Sequence, residues 1–331
     1  MESRKKSRKT TRWLFWGFGI LFVLLVLGAT YGYKKIQPSQ HFKKVETLAE
    51  PARTIQEKDI PPNPSKPSEN RKPTSEKAIE PFNVLLLGLD GEHSKATRTD
   101  VIMVANINPE KKTVNLLSIP RDTQVHLQGI GLTKINHAHF MAELSGESRD
   151  GTEASIQAVA DLLGIPIHYY VKTDFNGFVK FIDDIGGLEI DLPYSVQIND
   201  DVVLKKGHQE FNGEVALAFA RERYHLQNGD FGRQESQMLI LQSMAQKLLQ
   251  PSNISRLPSL YSRIKRDIVD TNFTQMDILS LAFIYKGMSG EQLHYFQVPG
   301  HSDIAQDPIL RRKLYYWIPN MEEVKEIIHN W

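Results

Sequence analysis

The sequence predicts an α/β fold with a mixed β-sheet flanked by helices on both faces, preceded by one transmembrane helix. Three observations predict it. Residues 13–33 form one uncharged apolar run, and beyond residue 81 strand-like runs alternate with helix-like runs. Two of the strand-like runs are separated only by Asn108-Pro109-Glu110, a hairpin signal. Alternating strands and helices indicate a sheet covered on both sides, and the hairpin makes that sheet mixed.

The N-terminus predicts a cytoplasmic basic tail and a signal-anchor helix. Residues 1–12 hold six Lys/Arg and one Glu, a net charge of +5. The run 13–33 has 21 residues, and a helix of that length spans roughly 30 Å, the apolar thickness of a bilayer. A cleaved signal peptide is the alternative, but 29–31 (Ala-Thr-Tyr) is a poor cleavage site. The positive-inside rule then predicts a single-pass type II protein whose body lies outside the cytoplasm.

Residues 34–80 are predicted to be an extended extracellular tether. The stretch holds seven prolines and many charges, with little apolar periodicity. Such a composition cannot bury enough surface to fold alone. Residues 81–331 are then predicted to be a single extracellular domain.

Composition excludes several classes of function. The chain has a net charge of +1, so residues 13–331 carry about −4, which argues against broad nucleic-acid binding. There is no cysteine, and therefore no disulfide, thiolate nucleophile or cysteine-based metal site. There is no Walker-type glycine-rich loop, in keeping with a compartment that lacks ATP.

The predicted elements follow one another along the domain. Strands are predicted over 82–90, over the two arms of the hairpin in 100–123, and over 168–175, 188–195 and 293–300. Helices are predicted over 134–145, 152–164, 176–187, 212–220, 232–250, 254–267, 274–288 and 319–329. Apolar periodicity and Gly/Pro boundaries set these limits.

The first charged motif is GLDGEHSKATRTD, 88–100. Asp90 ends the first strand, and Arg98 and Asp100 open the second. Acids at strand ends are candidates for Mg²⁺, which uses one or two carboxylates and completes its shell with substrate phosphates. The alternative is that both acids cap turns in a solvated loop.

The second motif is SIPRDT, 118–123, where Arg121 and Asp122 follow a strand directly. Arg121 is a candidate phosphate clamp held by a neighbouring acid. The alternative is a surface salt bridge of little energetic weight.

The third motif is AFARERYHLQNGDFGRQESQ, 218–237. Arg221 and Arg223 lie two residues apart and point to one side if the chain there is extended. Arg233 and Gln237 lie four apart on a predicted helix and share a face. Arginine suits planar, bidentate contacts to a polyanion, so these residues predict a phosphate or pyrophosphate site.

Weaker candidates lie between these motifs. Lys134 is a candidate cationic contact. His137 and His139 lie two apart, so on a helix they face different directions, which favours structural roles over a metal site. Asp183-Asp184 before two glycines is interpreted as a helix-end feature.

Taken together, the motifs LLLGLD…RTD, SIPRDT, KIN, DDIGG and AFARERY…DFGRQESQ resemble the LytR-CpsA-Psr family of cell-wall glycopolymer ligases. The resemblance covers about residues 82–249. It implies a transferase that moves an anionic glycopolymer, wall teichoic acid or capsular polysaccharide, from an undecaprenyl-pyrophosphate carrier to peptidoglycan in a Gram-positive-type envelope. The alternative is a non-catalytic polyprenyl-phosphate-binding protein that acts as a transcriptional attenuator.

The resemblance also implies residue roles. Asp90 and Asp100 would bind Mg²⁺, or Mn²⁺ in its place. The pyrophosphate would meet Arg98, Arg121, Arg221, Arg223 and Arg233, with Gln237 beside them. The lipid would lie in an apolar cleft lined by Phe140, Phe175, Phe178, Val179 and Ile182. Asp100 and Asp122 are both open as the general base, and Ser236 stands where the family commonly has Arg.

Overall fold

The computed structural model describes residues 41–42, 45–52, 79–90, 97–145, 150–198, 202–222, 230–254, 256–267, 269–288 and 290–331. Its strands are β1 Phe82–Leu89, β2 Thr99–Asn108, β3 Thr113–Ser118, β4 Gln124–Leu127, β5 Gly131–Lys134, β6 Tyr169–Thr173, β7 Leu188–Leu192, β8 Val196–Gln197, β9 Val203–Leu204, β10 Gly207–Phe211, β11 Val269–Thr271, β12 Leu293–Gln297, β13 Gly300–Gln306 and β14 Lys313–Pro319. Its helices are α1 His137–Ser145, α2 Gly151–Leu163, α3 Phe175–Asp184, α4 Gly213–Arg221, α5 Asp230–Leu249, α6 Pro251–Ile254, α7 Leu257–Asp267, α8 Gln275–Ile284 and α9 Met321–His329.

Six strands form the central sheet, in the order β11-β6-β1-β2-β3-β12. The β1–β2, β2–β3 and β11–β6 pairs are antiparallel, and the β1–β6 and β12–β3 pairs are parallel. The sheet is therefore mixed, as the sequence predicted. The parallel pairs bring the carboxyl ends of β1 and β6 to one edge, where the predicted strand-end residues follow.

The sheet is buried on both faces, and strand β1 shows why. Its consecutive apolar residues alternate between two hydrophobic cores, because side chains along a strand point to opposite faces. Leu85 and Leu87 pack in the core that includes α2 and α9. Val84 and Leu86 pack in the core that includes α8 and part of α5. An uninterrupted apolar run is thus the signature of a strand with helices on both sides.

A third core lies beside the sheet, where α3, α4 and α5 pack with the β7–β10 ribbon. Helices α3 and α4 come very close together, since a Cβ atom on Gly213 would lie 2.3 Å from the carbonyl oxygen of Val179. The N–H of Gly213 also donates to Oδ1 of Asp183 at 2.8 Å. Asp183 therefore ties the end of one helix to the start of the next, in keeping with its predicted helix-end role.

Several short elements differ from the predictions. The helix predicted over 134–145 begins at His137, because Gly131–Lys134 pairs with Gln124–Leu127 as a hairpin. The β13–β14 hairpin was not predicted either. Strand β13 is polar and almost wholly exposed, so it lacks the apolar alternation by which a strand is recognised.

The predicted tether, 34–80, also differs from a uniform spacer. Phe42 is 2% exposed and its ring stacks on Phe82 at 5.0 Å between centroids. Ala49 forms a β-bridge with Ile167. The folded body therefore begins before residue 81, because an aromatic and an apolar residue within a polar, proline-rich stretch find places in the core.

The predicted basic tail, 1–12, and the predicted anchor helix, 13–33, lie outside the described residues. Among the helices that the structure describes, none combines the length and apolar character needed to span a bilayer.

Candidate active site

A cavity of about 680 Å³ opens at the carboxyl end of β1 and β6. The sheet forms one wall and helices α3, α4 and α5 form the others. Its polar lining includes Asp100, Arg121, Arg221, Glu222, Arg233 and Gln237. Its apolar lining includes Leu86, Met103, Val171, Phe178, Ile240, Leu241 and Met244. One cavity thus joins a strongly charged region to an apolar one.

A β-bulge turns Asp100 toward this cavity. Gly88 pairs with Val101 and Leu89 pairs with Thr99, so Asp100 is an extra residue in β2. Neighbouring residues of a regular strand would face opposite sides of the sheet. Because of the bulge, Asp100 and Val101 both line the cavity. A Cβ on Gly88 would lie 3.0 Å from Cβ of Val101, which accounts for the glycine there.

Asp90 and Arg98 lie opposite each other where the two strands leave the sheet. The backbone N–H of Asp90 donates to the carbonyl of Arg98 at 3.1 Å. The backbone N–H of Arg98 donates to Oδ1 of Asp90 at 2.9 Å. Both side chains are exposed, and neither lines the cavity. The intervening residues 91–96 lie outside the described part of the chain.

An alternating row of charges begins at the cavity lining and leads away from it. Arg121 Nη1 lies 2.5 Å from Oδ1 of Asp100, and Arg121 Nε lies 3.9 Å from Oδ2 of Asp122. Lys134 Nζ donates to Oδ1 of Asp122 at 2.6 Å. The backbone fixes this row, since the N–H of Ile135 donates to the carbonyl of Thr123. Lys134 therefore supports the site through Asp122 and does not line the cavity itself.

Two arginines rest on aromatic rings. The guanidinium carbon of Arg221 lies 4.5 Å from the ring centroid of Phe175, and that of Arg98 lies 5.1 Å from the centroid of Phe140. Cation–π contacts of this kind hold a guanidinium in place while leaving its N–H groups available. Phe175 also lines the cavity, whereas Phe140 does not.

Helix α5 contributes Arg233 and Gln237, which lie one turn apart, as predicted from their spacing. Arg233 is 6% exposed and lines the cavity. Gln237 Nε2 donates to the carbonyl of Ala220 at 3.3 Å, which links α5 to the end of α4 beside Arg221. Ser236 is buried, and its hydroxyl donates to the carbonyl of Gly232 at 3.2 Å. An arginine at 236 would therefore have to leave this buried position.

The remaining predicted residues are placed as follows. Arg221 is the last residue of α4, so the condition of an extended chain is not met at Arg221 itself, and Arg223 lies outside the described residues. Phe178 lines the cavity beside Phe175. Val179 is absent from the lining, and Ile182 is fully buried in the core between α3 and α4. Residues 178 and 182 share a face of the helix, but the side chain of Ile182 packs into the core beside the sheet.

Asp90 and Asp100 have the donor chemistry of a Mg²⁺ site. Both supply hard carboxylate oxygens, and neither brings a nitrogen or sulfur ligand. Next to Asp100 in the sequence, Thr99 has a buried hydroxyl without a hydrogen-bond partner among the described residues. No cluster of three or more His, Asp or Glu side chains suited to a metal occurs among the described residues. Two carboxylates would leave most of the coordination shell of such an ion to water or substrate phosphates, as is common for Mg²⁺.

Sequence reasoning missed the groups that hold Thr97, just before Arg98. Glu143 Oε2 accepts the Thr97 N–H at 3.1 Å, and His139 Nδ1 donates to the Thr97 carbonyl at 3.0 Å. Burial lowers the pKa of His139, which is therefore neutral near pH 7. Glu143 lies one turn after His139 on α1, and that spacing was the available signal.

The histidine pair does not form a metal site within the described structure, because its members face different groups. His139 contacts the backbone before β2. His137 Nδ1 lies 2.8 Å from Oγ1 of Thr133. Burial lowers the pKa of His137, and the positive charges of Arg98 and Lys134 act in the same direction.

Comparison with known proteins identifies the family. The family model described as LytR_cpsA_psr matches residues 44–330. The chain is 33% identical over 263 residues to the polyisoprenyl-teichoic acid–peptidoglycan teichoic acid transferase TagV of Bacillus subtilis strain 168, which covers 75% of this chain and 64% of the relative. It is 29% identical over 320 residues to the transferase TagU of Bacillus cereus, which covers 96% of this chain and 95% of the relative.

The fold comparison agrees. The crystal structure of B. subtilis TagV matches with a TM-score of 0.65 and 31% identity, and the match covers 76% of this chain and 95% of that chain. The mixed sheet with its helices is therefore an arrangement shared with a solved structure.

Proposed function

The chain belongs to the LytR_cpsA_psr family, and on that premise we propose that it is a glycopolymer–peptidoglycan phosphotransferase. It moves an anionic cell-wall glycopolymer, wall teichoic acid or capsular polysaccharide, from a polyprenyl-pyrophosphate carrier to peptidoglycan. The names of its relatives support a teichoic acid as the polymer. The chain matches 64% of the length of TagV, less than two thirds, and 95% of the length of TagU.

One observation carries this proposal: a single cavity has arginines at one end and aliphatic and aromatic side chains at the other. A polyprenyl pyrophosphate has the same division, with a dianionic head and a long hydrocarbon tail. Transfer of the tail from water into the cavity is favourable by roughly 25 cal/mol per Å² of apolar surface buried. The arginines would otherwise be costly to place beside an apolar cavity, and an anionic head offsets that cost.

The reaction needs little covalent chemistry from the protein. A phosphoryl group passes from one oxygen to another, and catalysis comes chiefly from positioning and from stabilising charge on the phosphoryl oxygens. Arg121, Arg221 and Arg233 are the described cations that line the cavity. Arg121 is held by Asp100 and Arg221 is held on the ring of Phe175. Both are therefore oriented before substrate arrives.

Asp90 and Asp100 would hold the divalent ion. A bound Mg²⁺ would supply positive charge to balance the charge on the phosphoryl oxygens. Asp100 also accepts from Arg121, so that carboxylate orients a cation whether or not the ion is present. The energy for transfer comes from the pyrophosphate bond, which suits a compartment without ATP.

The location follows from the same substrate. A polyprenyl carrier resides in a membrane, so the enzyme must work at a membrane surface. A signal-anchor helix at 13–33 with a cytoplasmic N-terminus would hold the domain on the outer side of a Gram-positive-type cell membrane.

A transfer assay tests the function. Purified full-length protein in detergent is given a lipid-linked teichoic acid or capsular precursor, peptidoglycan oligomers and Mg²⁺. We expect a covalent polymer–peptidoglycan product and release of polyprenyl monophosphate. Tight binding of the lipid-linked donor without any product would contradict catalysis and would favour a non-catalytic polyprenyl-phosphate-binding protein.

A further inference from the structure

We propose that Glu222 determines which charge state of the donor the cavity accepts: it favours the donor pyrophosphate together with a divalent ion over the bare anion. The inference rests on the proposed function, because it concerns the donor of that reaction. It gives a role to a carboxylate of the cavity lining that the transfer step itself does not use.

The described lining of the cavity is electrically balanced. It contains three arginines and three acids: Arg121, Arg221 and Arg233, and Asp100, Asp174 and Glu222. Their formal charges cancel, although the cavity is proposed to receive a pyrophosphate that carries negative charge. An anion gains little net attraction from a lining whose charges sum to zero. The acids thus offset the arginines, and the surroundings of each acid show how.

Two of the three acids are engaged by neighbouring parts of the fold. Asp100 accepts from Nη1 of Arg121 at 2.5 Å. Asp174 is the N-cap of α3, and its Oδ1 accepts the backbone N–H of Gly177 at 2.7 Å. A carboxylate at a helix N-terminus is stabilised by the helix dipole. These two charges are therefore offset locally, one by a guanidinium and one by a helix end.

Glu222 lies at the other two arginines of the lining. It directly follows Arg221 and is the residue at which α4 ends. Gln237 donates to the carbonyl of Ala220, which brings the first turns of α5, and with them Arg233, to the same end of α4. Glu222 is 8% exposed and Arg233 is 6% exposed. A negative charge is therefore enclosed next to the proposed phosphate site.

Burial makes this charge act across the cavity. A volume of about 680 Å³ is on the order of 10 Å across, which is comparable to the Debye length at 0.1 M salt. Two charges within such an enclosed space interact several times more strongly than in bulk water, with or without direct contact. Glu222 therefore repels a bare pyrophosphate in the cavity. It has much less effect on a pyrophosphate whose charge is balanced by a divalent ion.

This difference couples the donor to the ion. Because the carboxylate penalises the bare anion, Mg²⁺ improves the affinity for the donor more than it would without Glu222. By linkage, the donor strengthens binding of the ion by the same factor. The candidate ligands Asp90 and Asp100 then need not hold the ion tightly in the empty site, in keeping with a set of two carboxylates.

Binding measurements test the inference without transfer. The full-length protein in detergent is titrated with farnesyl-pyrophosphoryl-N-acetylglucosamine, a short anionic donor, in EDTA and again in saturating Mg²⁺, with no acceptor present. For Glu222→Gln we expect the Kd in EDTA to fall about tenfold and the Kd in Mg²⁺ to change less than about twofold. The improvement in binding that Mg²⁺ brings should therefore be smaller in the variant than in the wild type.

Three controls separate charge from structure. Glu222→Asp keeps the charge and should keep the wild-type response to Mg²⁺. Glu214→Gln removes an exposed carboxylate from the first turn of the same helix and should leave both Kd values unchanged. An uncharged farnesyl glycoside should bind the wild type and Glu222→Gln equally, since it has no charge for the carboxylate to repel.

Weaker binding of the charged donor to Glu222→Gln in both EDTA and Mg²⁺ would overturn the inference, because the carboxylate would then serve to hold the arginines in place. A Kd that rises only in Mg²⁺ would also overturn it and would make Glu222 a ligand of the ion. So would a Kd that is unchanged under both conditions. Failure of the proposed function is seen separately, since the wild-type protein would then give no polymer–peptidoglycan product in the transfer assay, whatever its Kd values.

Discussion

The guanidinium of Arg121 and the carboxylate of Asp100 lie 2.5 Å apart although 21 residues separate them in the sequence. The contact joins the turn after β3 to the bulge at the start of β2. It places a cation and an acid together at the mouth of the cavity, where the predicted phosphate and metal sites meet.

Replacing Arg121 with lysine should reduce transfer about a hundredfold, because an ammonium cannot contact Asp100 and a phosphoryl oxygen with the same planar geometry. The measurement is kcat in the transfer assay at saturating donor. Arg312→Lys, at an exposed arginine, is the matched control. Equal rates for the two variants would refute a role for Arg121 in phosphoryl stabilisation.

Removal of the divalent ion should abolish transfer. We expect EDTA to stop the reaction and added Mg²⁺ to restore it, with Asp100→Asn requiring more Mg²⁺ for the same rate, since a neutral amide binds a hard cation weakly. Initial rates against Mg²⁺ concentration give the measurement, and Asp303→Asn on exposed β13 is the control. Full activity in EDTA would disprove the metal role of Asp90 and Asp100.

Loss of the ring beneath Arg221 should weaken catalysis modestly. Phe175→Ala removes a cation–π contact worth about 0.5–1 kcal/mol, so the rate should fall roughly two- to fivefold. Phe175→Tyr, which keeps the aromatic ring, should retain most of the wild-type rate. Phe283→Ala, at a half-exposed phenylalanine of α8, is the control. If Phe175→Tyr were as slow as Phe175→Ala, the ring face could not be the cause.

Filling the apolar end of the cavity should discriminate between lipid lengths. Met244→Trp adds bulk at the lining, so binding of an undecaprenyl-linked donor should weaken about tenfold because overpacking costs a few kcal/mol at most. A short-chain prenyl donor should bind as before. Leu144→Trp, at an exposed residue of α1, controls for the new tryptophan. If Met244→Trp weakened binding of the long-chain and short-chain donors equally, the lipid would not lie in the apolar end of this cavity.

Truncating Phe42 should destabilise the domain. Its ring is buried against Phe82, so Phe42→Ala should lower the free energy of unfolding by about 3–5 kcal/mol. Leu48→Ala, at a residue that is 44% exposed, should change it little. Urea unfolding of the protein in detergent measures both. If Phe42→Ala left the free energy of unfolding unchanged, the residues before 81 would act only as a spacer.

The main strands and helices were predictable because their apolar patterns reflect burial. The run in β1 has one apolar residue after another, and each face of the sheet has its own core. The β13–β14 hairpin was missed because β13 is polar and exposed and is held by its backbone pairing with β14. The buried place of Phe42 was missed because its flanking sequence is polar.

The candidate site was predictable as residue types, less so as an arrangement. Arg121, Arg233 and Gln237 line the cavity, as does Phe178. Phe140, by contrast, lies against the guanidinium of Arg98. Ile182 packs in a hydrophobic core. Helical periodicity gives the face on which such a side chain lies, but whether that face meets a cavity or a neighbouring helix depends on the packing of both.

By itself, the sequence determined the mixed α/β sheet, the order of its principal elements and the three charged motifs, because these depend on local periodicity and residue chemistry. Only the tertiary structure decided that Asp100 turns into the cavity at a bulge, that Arg98 and Arg221 rest on rings, and that Thr133 joins His137 to Asp307. Each of these contacts joins segments distant in the chain, and their distances are set by the packing of the sheet against its helices.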